Sequence, residues 1–257
     1  MAISINVKKL SKKSIIIFSA LAALLIIITI IAVSAVGKRP VQSDFFDTNA
    51  DYVSGIDVSQ HNGEIEWNKV SNAADFAMIR VGYRGYGNGA LQEDSRYEEN
   101  LKNAEKEDIP IGVYFYSQAI TPEEADEEAE YVLELIKPYD IDLPVFIDFE
   151  YPYDAEGNHT GRMFNADLSG RDTAEIINAF CRKIITAGYR AGVYSSSNVY
   201  NFDIKTSALD KDIFIWVADY NSKVTYLGRY DIWQYTKNGS CDGVNSKYVD
   251  LNKWYIK

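Results

Sequence analysis

Cysteine and histidine are scarce in this chain, with two residues of each among 257. The histidines, His61 and His159, lie far apart and have no cysteine at the short spacing of a zinc site. A histidine-based metal site is therefore not expected, and no cofactor is predicted. Cys181 lies on the apolar side of a predicted helix, which favours a buried free thiol. A disulfide with Cys241 is the alternative, and spacing does not decide between the two.

Basic residues are also few beyond the N-terminus. Six of the 26 lysines and arginines, and none of the 37 acidic residues, lie in the first forty positions. The remainder has 20 basic against 37 acidic residues, a net charge of −17. Such a domain is repelled by nucleic acid and by anionic membrane surfaces, so nucleic acid is excluded as a partner.

The chain has one long hydrophobic run, residues 15–36, which contains no charge and follows four lysines. About 20 apolar residues suffice to cross a membrane, so a retained single-pass anchor in the cell membrane is predicted. The lysines then stay in the cytoplasm and the C-terminal part is extracellular. A cleaved signal peptide, and hence secretion, is the alternative. The predicted parts are a cytoplasmic basic segment (1–13), a transmembrane anchor or uncleaved signal (14–36), a linker (37–53) and one domain (54–257).

Beyond residue 54, short apolar strands alternate with amphipathic helices. This alternation predicts an α/β fold with a mostly parallel sheet, closed into an irregular TIM-like barrel because the last strands lack full helices between them. The predicted strands are residues 55–58, 77–81, 111–116, 143–149, 191–195, 213–217, 232–235 and a stretch around 249–251. The clearest helix start has Thr121 as N-cap, Pro122 in the first turn and Glu124 completing a capping box.

The strongest chemical signal is the sequence Val-Phe-Ile-Asp-Phe-Glu, which ends in Asp148 and Glu150. Residues i and i+2 of a strand face the same side, so the two carboxyl groups are expected about 6–7 Å apart along the backbone. Hydrolysis of a glycosidic bond needs such a pair, one group protonated and the other ionised. The alternative is a buried strand whose polar end is merely solvated.

Other acidic residues also follow predicted strands. In a parallel barrel the chemistry lies at the C-terminal ends of the strands. Five acids fall at or just beyond such ends: Asp57, Asp148, Glu150, Asp219 and Asp250. Their convergence on one rim favours a site over a solvated surface.

Several motifs occur in a specific order across residues 54–257. They are Gly55-Ile56-Asp57-Val58-Ser59, Gly63-Glu64-Ile65-Glu66-Trp67, Met78-Ile79-Arg80, Gly112-Val113-Tyr114-Phe115, Asp148-Phe149-Glu150, Tyr194-Ser195-Ser196, Trp216-Val217-Ala218-Asp219-Tyr220, Trp233-Gln234-Tyr235 and Val249-Asp250-Leu251-Asn252. Together they resemble glycoside hydrolase family 25, the lysozymes (N-acetylmuramidases) that cleave peptidoglycan between N-acetylmuramic acid and N-acetylglucosamine. The resemblance implies a barrel of five strand–helix units followed by three strands.

The resemblance also implies roles for individual residues. Glu150 becomes the general acid/base, and Asp148 stabilises the cationic intermediate, with Asp57 and Asp250 as supporting acids of the catalytic site. The residues expected to bind sugar are Tyr114, Tyr116, Trp216, Asp219, Gln234 and Arg80. Arg80 has a structural alternative, an ion pair with a rim acid inside the barrel. Trp216 and Trp233 are both at strand positions, so one of them is alternatively a core residue. His61 lies in the turn after the first strand, where it is either a hydrogen-bonding surface residue or a contact of the substrate.

The mechanism requires two different pKa values. A negative neighbour and burial are expected to raise the pKa of Glu150, while hydrogen bonds, with Tyr114 as a candidate donor, keep Asp148 ionised. Phe115 departs from the family, which often has histidine there, and no repeated wall-binding module is present in the sequence.

The predicted protein is a monomer that acts on peptidoglycan glycan strands. Two other functions stay open: a non-catalytic glycan-binding or scaffold protein, and a barrel hydrolase of chitin-like polymers.

Overall fold

The computed structural model describes residues 45–46 and 48–256, which belong to a unit that begins at Phe45. The predicted anchor, residues 14–36, lies outside the described residues. Within the described part, no helix has the length and apolar character that crossing a membrane requires.

Eight strands close into a barrel, and a ninth, short strand pairs with the end of one of them. The strands are β1 (Tyr52–Val58), β2 (Phe76–Arg84), β3 (Leu91–Glu93), β4 (Ile111–Ser117), β5 (Val145–Phe149), β6 (Ala191–Ser196), β7 (Phe214–Ala218), β8 (Ile232–Gly239) and β9 (Val249–Tyr255). Around the barrel the order is β1-β9-β8-β7-β6-β5-β4-β2, and β2 pairs back with β1. The short β3 forms an antiparallel pair with β2.

Helices follow the first five barrel strands. They are α1 (Trp67–Val70), α2 (Tyr97–Lys106), α3 (Pro122–Ile136), α4 (Gly161–Asn165), α5 (Gly170–Thr186) and α6 (Ser197–Phe202), with 3-10 turns at Gln60–Asn62 and Thr206–Ala208. The predicted plan of five strand–helix units and three further strands is therefore confirmed. The mostly parallel sheet is confirmed for seven strands, but β9 is antiparallel to both of its neighbours. A short loop without a helix joins β8 to β9, and adjacent strands joined in this way must run antiparallel.

The interior of the barrel changes from apolar to acidic along its axis. At the N-terminal ends of the parallel strands, buried aromatic side chains such as Phe76, Phe146 and Trp254 pack against one another. Gly55 leaves room for this filling, because a Cβ there would lie 2.5 Å from the ring of Phe76. Further along the same inward faces, the period of two brings Asp148 in line with Phe146. One end is thus a packed core and the other end is polar.

The chain before β1 covers the apolar end of the barrel. The ring of Phe45 lies 5.2 Å from that of Trp254, and Phe46 lies 5.9 Å from Phe76. The guanidinium of Arg190 lies 3.9 Å from the centre of the Phe45 ring, a cation–π contact. Residues in the predicted linker therefore belong to the packed core, and the opposite, polar end of the barrel stays open.

The start of α3 is only partly as predicted. Thr121 is the N-cap, and its Oγ1 accepts the N–H of Glu124 at 3.3 Å. The capping box is wrong, because the Glu124 carboxylate accepts the N–H of Ile120 instead of that of Thr121. The same carboxylate binds Arg162 of α4 through two bonds of 2.7 and 3.0 Å, which draw it away from the box geometry.

Both cysteines are free thiols in the structure, so the alternative of a disulfide is not realised. Cys181 is buried, as predicted, and burial raises the pKa of its thiol. Such a thiol is a poor nucleophile at neutral pH, and we assign it a packing role.

Replacing Arg84 by leucine is expected to destabilise the barrel by about 3–5 kcal/mol, because it leaves a buried carboxylate without its partner. Arg84 Nε lies 2.7 Å from Glu128 Oε1, and the Glu128 side chain is 0% exposed. Burial already raises the pKa of Glu128 to about 7, so the loss should be largest at pH 8. Urea unfolding measures it.

The matched control is Arg182→Leu, since Arg182 pairs with Asp210 at 2.6 Å on the surface with 63% of its side chain exposed. Surface pairs of this kind contribute up to about 1 kcal/mol. An equal loss of unfolding free energy in the two variants would show that the buried ion pair contributes no more to stability than a surface pair.

Candidate active site

A cleft of about 780 Å³ opens at the C-terminal ends of the parallel strands. Four of the predicted acids line it: Asp57, Asp148, Glu150 and Asp250. Asp57 on β1 and Asp250 on β9 are direct cross-strand partners. Asp148 is near the end of β5 and Glu150 follows its last residue, so the alternation of the strand delivers both to the cleft. The structure therefore brings the four carboxyl groups together.

Glu150 is partly buried and has the pKa that a general acid needs. Burial and, after it, the negative charge of Asp250 together raise the pKa of its carboxyl to about 7. Lys237 and Arg80 act in the opposite direction. A carboxyl with this pKa is still substantially protonated at neutral pH. The sequence prediction of a raised pKa is confirmed, although Asp250 is the acidic neighbour responsible.

Asp148 differs from the sequence prediction. Its side chain is 4% exposed, and burial together with the charge of Glu150 raises its pKa well above the ordinary value. The expected hydrogen bond from Tyr114 is not formed, and Asp148 Oδ1 is buried without a hydrogen-bond partner among the described residues. The prediction that hydrogen bonds within the protein keep Asp148 ionised is therefore wrong. The positive charge of Arg80 favours the ionised form, but it does not outweigh the loss of water.

Asp57 is held by a buried network of amides. Its Oδ2 accepts hydrogen bonds from Gln234 Nε2 at 2.9 Å and from Asn252 Nδ2 at 2.8 Å. Asn252 Oδ1 in turn accepts the indole N–H of Trp216 at 2.8 Å. Burial and the charge of Asp250 still raise the pKa of Asp57 well above its ordinary value. The network fixes the position of the Asp57 carboxylate.

Two tyrosines set the orientation of Gln234. Tyr194 and Tyr220 both donate their hydroxyl groups to Gln234 Oε1, at 3.0 and 2.7 Å. Because the amide oxygen is occupied in this way, the amide nitrogen must face Asp57. Gln234 thus reaches the cleft as predicted, but as a link in a network that includes two tyrosines.

Aromatic side chains line most of the remaining cleft. Tyr114, Tyr116 and the buried Trp216 were predicted and all three line it. Six further tyrosines were not assigned to the site from sequence: Tyr83, Tyr86, Tyr153, Tyr194, Tyr220 and Tyr248. Burial raises the pKa of Tyr116 and of Tyr220, so both hydroxyl groups stay protonated. Aromatic faces and neutral hydroxyl groups suit an uncharged polyol.

The cleft has two permanently cationic side chains among its described lining residues, Arg80 and Lys237. Arg80 lines the cleft as predicted, but its Nε binds Asp94 Oδ2 at 2.8 Å instead of a rim acid of the barrel. Lys237 was missed by the sequence analysis. The pairing register of β8 against β9 shifts between Gln234 and Thr236, so strict alternation does not give the direction of Lys237.

Asp219 does not line the cleft. Its Oδ2 accepts hydrogen bonds from Ser197 Oγ at 2.7 Å and from Thr225 N at 2.7 Å, and its Oδ1 accepts the N–H of Asn221 at 3.1 Å. These bonds outweigh burial and lower the pKa of Asp219 below its ordinary value. The carboxylate is occupied by donors from α6 and from the loop after β7, so the predicted contact with sugar finds no support in the geometry. Its position next to Tyr220 gives it a structural role.

The structure decides between the alternative positions of His61, Trp216 and Trp233. His61 lines the cleft, whereas Trp233 does not and donates its indole N–H to the carbonyl of Asp219 at 2.7 Å. Trp216 is therefore the tryptophan at the site. In the described part of the chain, no group of three or more histidine, cysteine or acidic side chains has the arrangement of a metal site.

A closed α/β barrel whose open end presents paired carboxyl groups in an aromatic cleft defines a glycoside hydrolase. The comparison with family models agrees. The model of the glycosyl hydrolases family 25 matches residues 56–244, and the chain belongs to this family. The predicted enzyme class, a glycoside hydrolase of the lysozyme type, is confirmed.

Solved structures share the fold. The modular autolysin LytC from Streptococcus pneumoniae, solved in complex with a synthetic peptidoglycan ligand, is 28% identical, with a TM-score of 0.66 over 79% of this chain. The match spans 47% of LytC, about half of its length. The bacterial lysozyme from Streptomyces coelicolor is 24% identical, with a TM-score of 0.63, over 80% of this chain and 93% of that one.

Among curated proteins, the uncharacterized protein YegX from Escherichia coli strain K12 is 24% identical over 232 residues, which are 84% of this chain and 75% of YegX.

Proposed function

We propose that this protein hydrolyses the β-1,4 bond between N-acetylmuramic acid and N-acetylglucosamine in peptidoglycan, with Glu150 as general acid/base and Asp148 stabilising the intermediate. The observation that carries the proposal is the cleft in which Glu150 converges with three other carboxyl groups, and burial there raises the pKa of Glu150 to about 7. Support for the substrate comes from the family match and from LytC, which was solved with a peptidoglycan ligand.

In the first step, Glu150 donates its proton to the bridging oxygen as the glycosidic bond breaks. The acetamido oxygen of the substrate bonds to the anomeric carbon and shares the positive charge that develops there. In the second step, Glu150 accepts a proton from water, the water oxygen bonds to the anomeric carbon, and the acetamido oxygen leaves. The same carboxyl thus acts as acid and then as base.

Asp148 orients the acetamido group. Its unpaired, buried Oδ1 is an acceptor for the N–H of that group, and such a hydrogen bond favours the ionised carboxylate. The required difference in pKa between Asp148 and Glu150 then arises when substrate binds. Asp57 and Asp250 line the same cleft, and Asp250 helps to keep Glu150 protonated.

We further propose that the protein is a monomer, held in the cell membrane by residues 14–36 with the barrel outside the cell. The support is the uncharged apolar run of residues 15–36 behind four lysines. The net charge of −17 on the remainder repels an anionic wall, and a tether offsets that repulsion. A cleaved signal peptide is the competing outcome. Membrane fractionation and N-terminal sequencing of the mature protein distinguish the two.

A gel that contains embedded peptidoglycan tests the proposed activity. Clearing at the position of the protein supports the hydrolase. Sedimentation of the protein with insoluble peptidoglycan, without clearing, supports the non-catalytic glycan-binding protein instead.

The pH profile should follow Glu150. Because the protonated carboxyl is the active form, kcat/KM is expected to fall as pH rises through about 7. Asp250→Asn removes a negative charge that raises the pKa of Glu150, so the alkaline limb should move to lower pH. Hydrolysis of soluble glycan strands at pH 5–9 measures both. An alkaline limb that stays in place, or moves upward, would contradict the assigned coupling.

A further inference from the structure

Lys237 is a free cation at the rim of an acidic cleft. Its side chain is exposed, and it makes no ion pair within the part of the chain that the structure describes. Arg80, the other permanent cation of the lining, is committed to the fully buried Asp94. An anionic group brought by a substrate therefore finds one uncommitted permanent positive charge among the described lining residues.

An aromatic ring lies next to this ammonium group. Lys237 Nζ is 5.6 Å from the centre of the Tyr220 ring, and 49% of Tyr220 is exposed. The hydrogen bond from the Tyr220 hydroxyl to Gln234 Oε1, 2.7 Å long, fixes the ring although it follows a strand end. The ring offers a flat face for the apolar side of a sugar, and the lysine offers a charge beside it.

Both side chains line the same cleft as the reacting carboxyl groups. Lys237 lowers the pKa of Glu150 and of Asp250, so its charge is felt at the catalytic carboxyl group. A carboxylate on the substrate near the scissile bond would face four acidic side chains and be repelled. An ammonium at the same rim offsets that repulsion locally.

We propose that Lys237 and Tyr220 form a subsite for a carboxylate-bearing sugar, which selects glycan strands with ionised carboxyl groups over neutral strands of the same backbone. The inference rests on the proposed function and specifies its substrate. The sugar packs on Tyr220, and its carboxylate pairs with the ammonium of Lys237. The register shift in β8 builds the subsite, because it brings Lys237 to the cleft.

The test uses one glycan in two charge states. Peptidoglycan strands are stripped of their stem peptides by an amidase, which leaves the carboxylates of muramic acid free, and half of the material is then amidated to neutrality. The wild-type enzyme should prefer the carboxylate form by about two- to fivefold in kcat/KM, the range expected of an exposed ion pair. The ratio of the two values is the readout, because an effect of Lys237 on the pKa of Glu150 cancels in it.

Lys237→Met should abolish the preference, and Lys237→Arg should retain it. The matched control is Lys253→Met, since the ammonium of Lys253 packs over the rings of Tyr52 and Tyr235, neither of which lines the cleft. High salt should reduce the wild-type preference. A preference that survives in Lys237→Met, or a wild-type enzyme without any preference, overturns the proposal.

Failure of the proposed function is distinguishable from failure of this subsite. If the wild-type protein cleaves neither polymer, the hydrolase assignment fails. Calorimetric titration of the wild type and of Lys237→Met with the two polymers then still decides the subsite. Tighter binding of the carboxylate form by the wild type alone supports it, and equal binding of both forms overturns it.

Discussion

Replacing Glu150 by glutamine is expected to slow peptidoglycan hydrolysis by about 10²- to 10⁴-fold, the usual contribution of a general acid. The amide has the shape of the carboxyl but cannot transfer a proton to the leaving oxygen. Glycan binding should be retained, because the aromatic lining and the hydrogen bonds around Asp57 are untouched. Release of reducing ends measures the rate, and sedimentation with insoluble wall measures binding.

The control for this variant is Glu156→Gln, which makes the same chemical change at an exposed position of the loop that follows β5. It should keep wild-type activity. Wild-type activity in Glu150→Gln would show that another group donates the proton.

The same variant should be more stable than the wild type at alkaline pH. The pKa of Glu150 is about 7 in the folded protein, against about 4.3 for an unperturbed glutamate. The folded state therefore holds the proton more tightly, and its stability falls as pH rises through this window. Glutamine does not titrate, so the melting temperature of the variant should exceed that of the wild type at pH 8 and match it near pH 4.

Replacing Asp148 by asparagine is the second large expected effect, a loss of about 10²- to 10³-fold in kcat, comparable to removal of one electrostatic stabiliser. The neutral amide can still accept a hydrogen bond from the substrate but does not stabilise positive charge at the sugar ring. Some activity should therefore remain. Single-turnover rates on soluble strands measure the loss.

The stability of Asp148→Asn shows whether its lower rate comes from lost catalysis or from unfolding. Burial raises the pKa of Asp148 well above its ordinary value, so ionisation of Asp148 costs stability at alkaline pH and asparagine removes that cost. A variant that is slower and also more stable at pH 8 fits a catalytic role. A variant that is slower because it unfolds does not. Asp126→Asn, an exposed change on α3, serves as the control.

Strand alternation explains why the catalytic pair was predictable. The run from Val145 to Phe149 is buried along its whole length, and the period of two places Asp148 and Glu150 on the inward face whatever the details of the barrel. The three long helices α2, α3 and α5 were predictable for a similar reason, since each has an apolar stripe facing the strands. The short helices α4 and α6 were not predicted, because five or six residues are too few to show a helical period.

Residues whose direction depends on irregular backbone were not predictable. Lys237 lies in the cleft because the register of β8 shifts, and one such shift is enough to invert a prediction based on alternation. Tyr220 and Asp219 follow the end of β7, where the chain is no longer a strand and the alternation of side chains between its two faces does not apply. Ser197 of α6 and two residues of the loop after β7, Asn221 and Thr225, bind the carboxylate of Asp219, and a sequence pattern does not reveal such partners.

The ionisation of Asp148 depends on tertiary structure as well. A sequence shows which donors exist, but not that Tyr114 lies in the cleft without bonding to the carboxylate. The antiparallel β9 was open to prediction, because the segment between β8 and β9 is too short for a crossover helix.

Mass spectrometry of the digestion products tests the central claim most directly. Peptidoglycan is digested with the wild type or with Glu150→Gln, the new ends are reduced with borohydride, and the terminal sugars are identified. We expect reduced N-acetylmuramic acid at the new ends for the wild type and almost none for the variant. Reduced N-acetylglucosamine at the new ends, anhydro ends, or equal release by both proteins would contradict it.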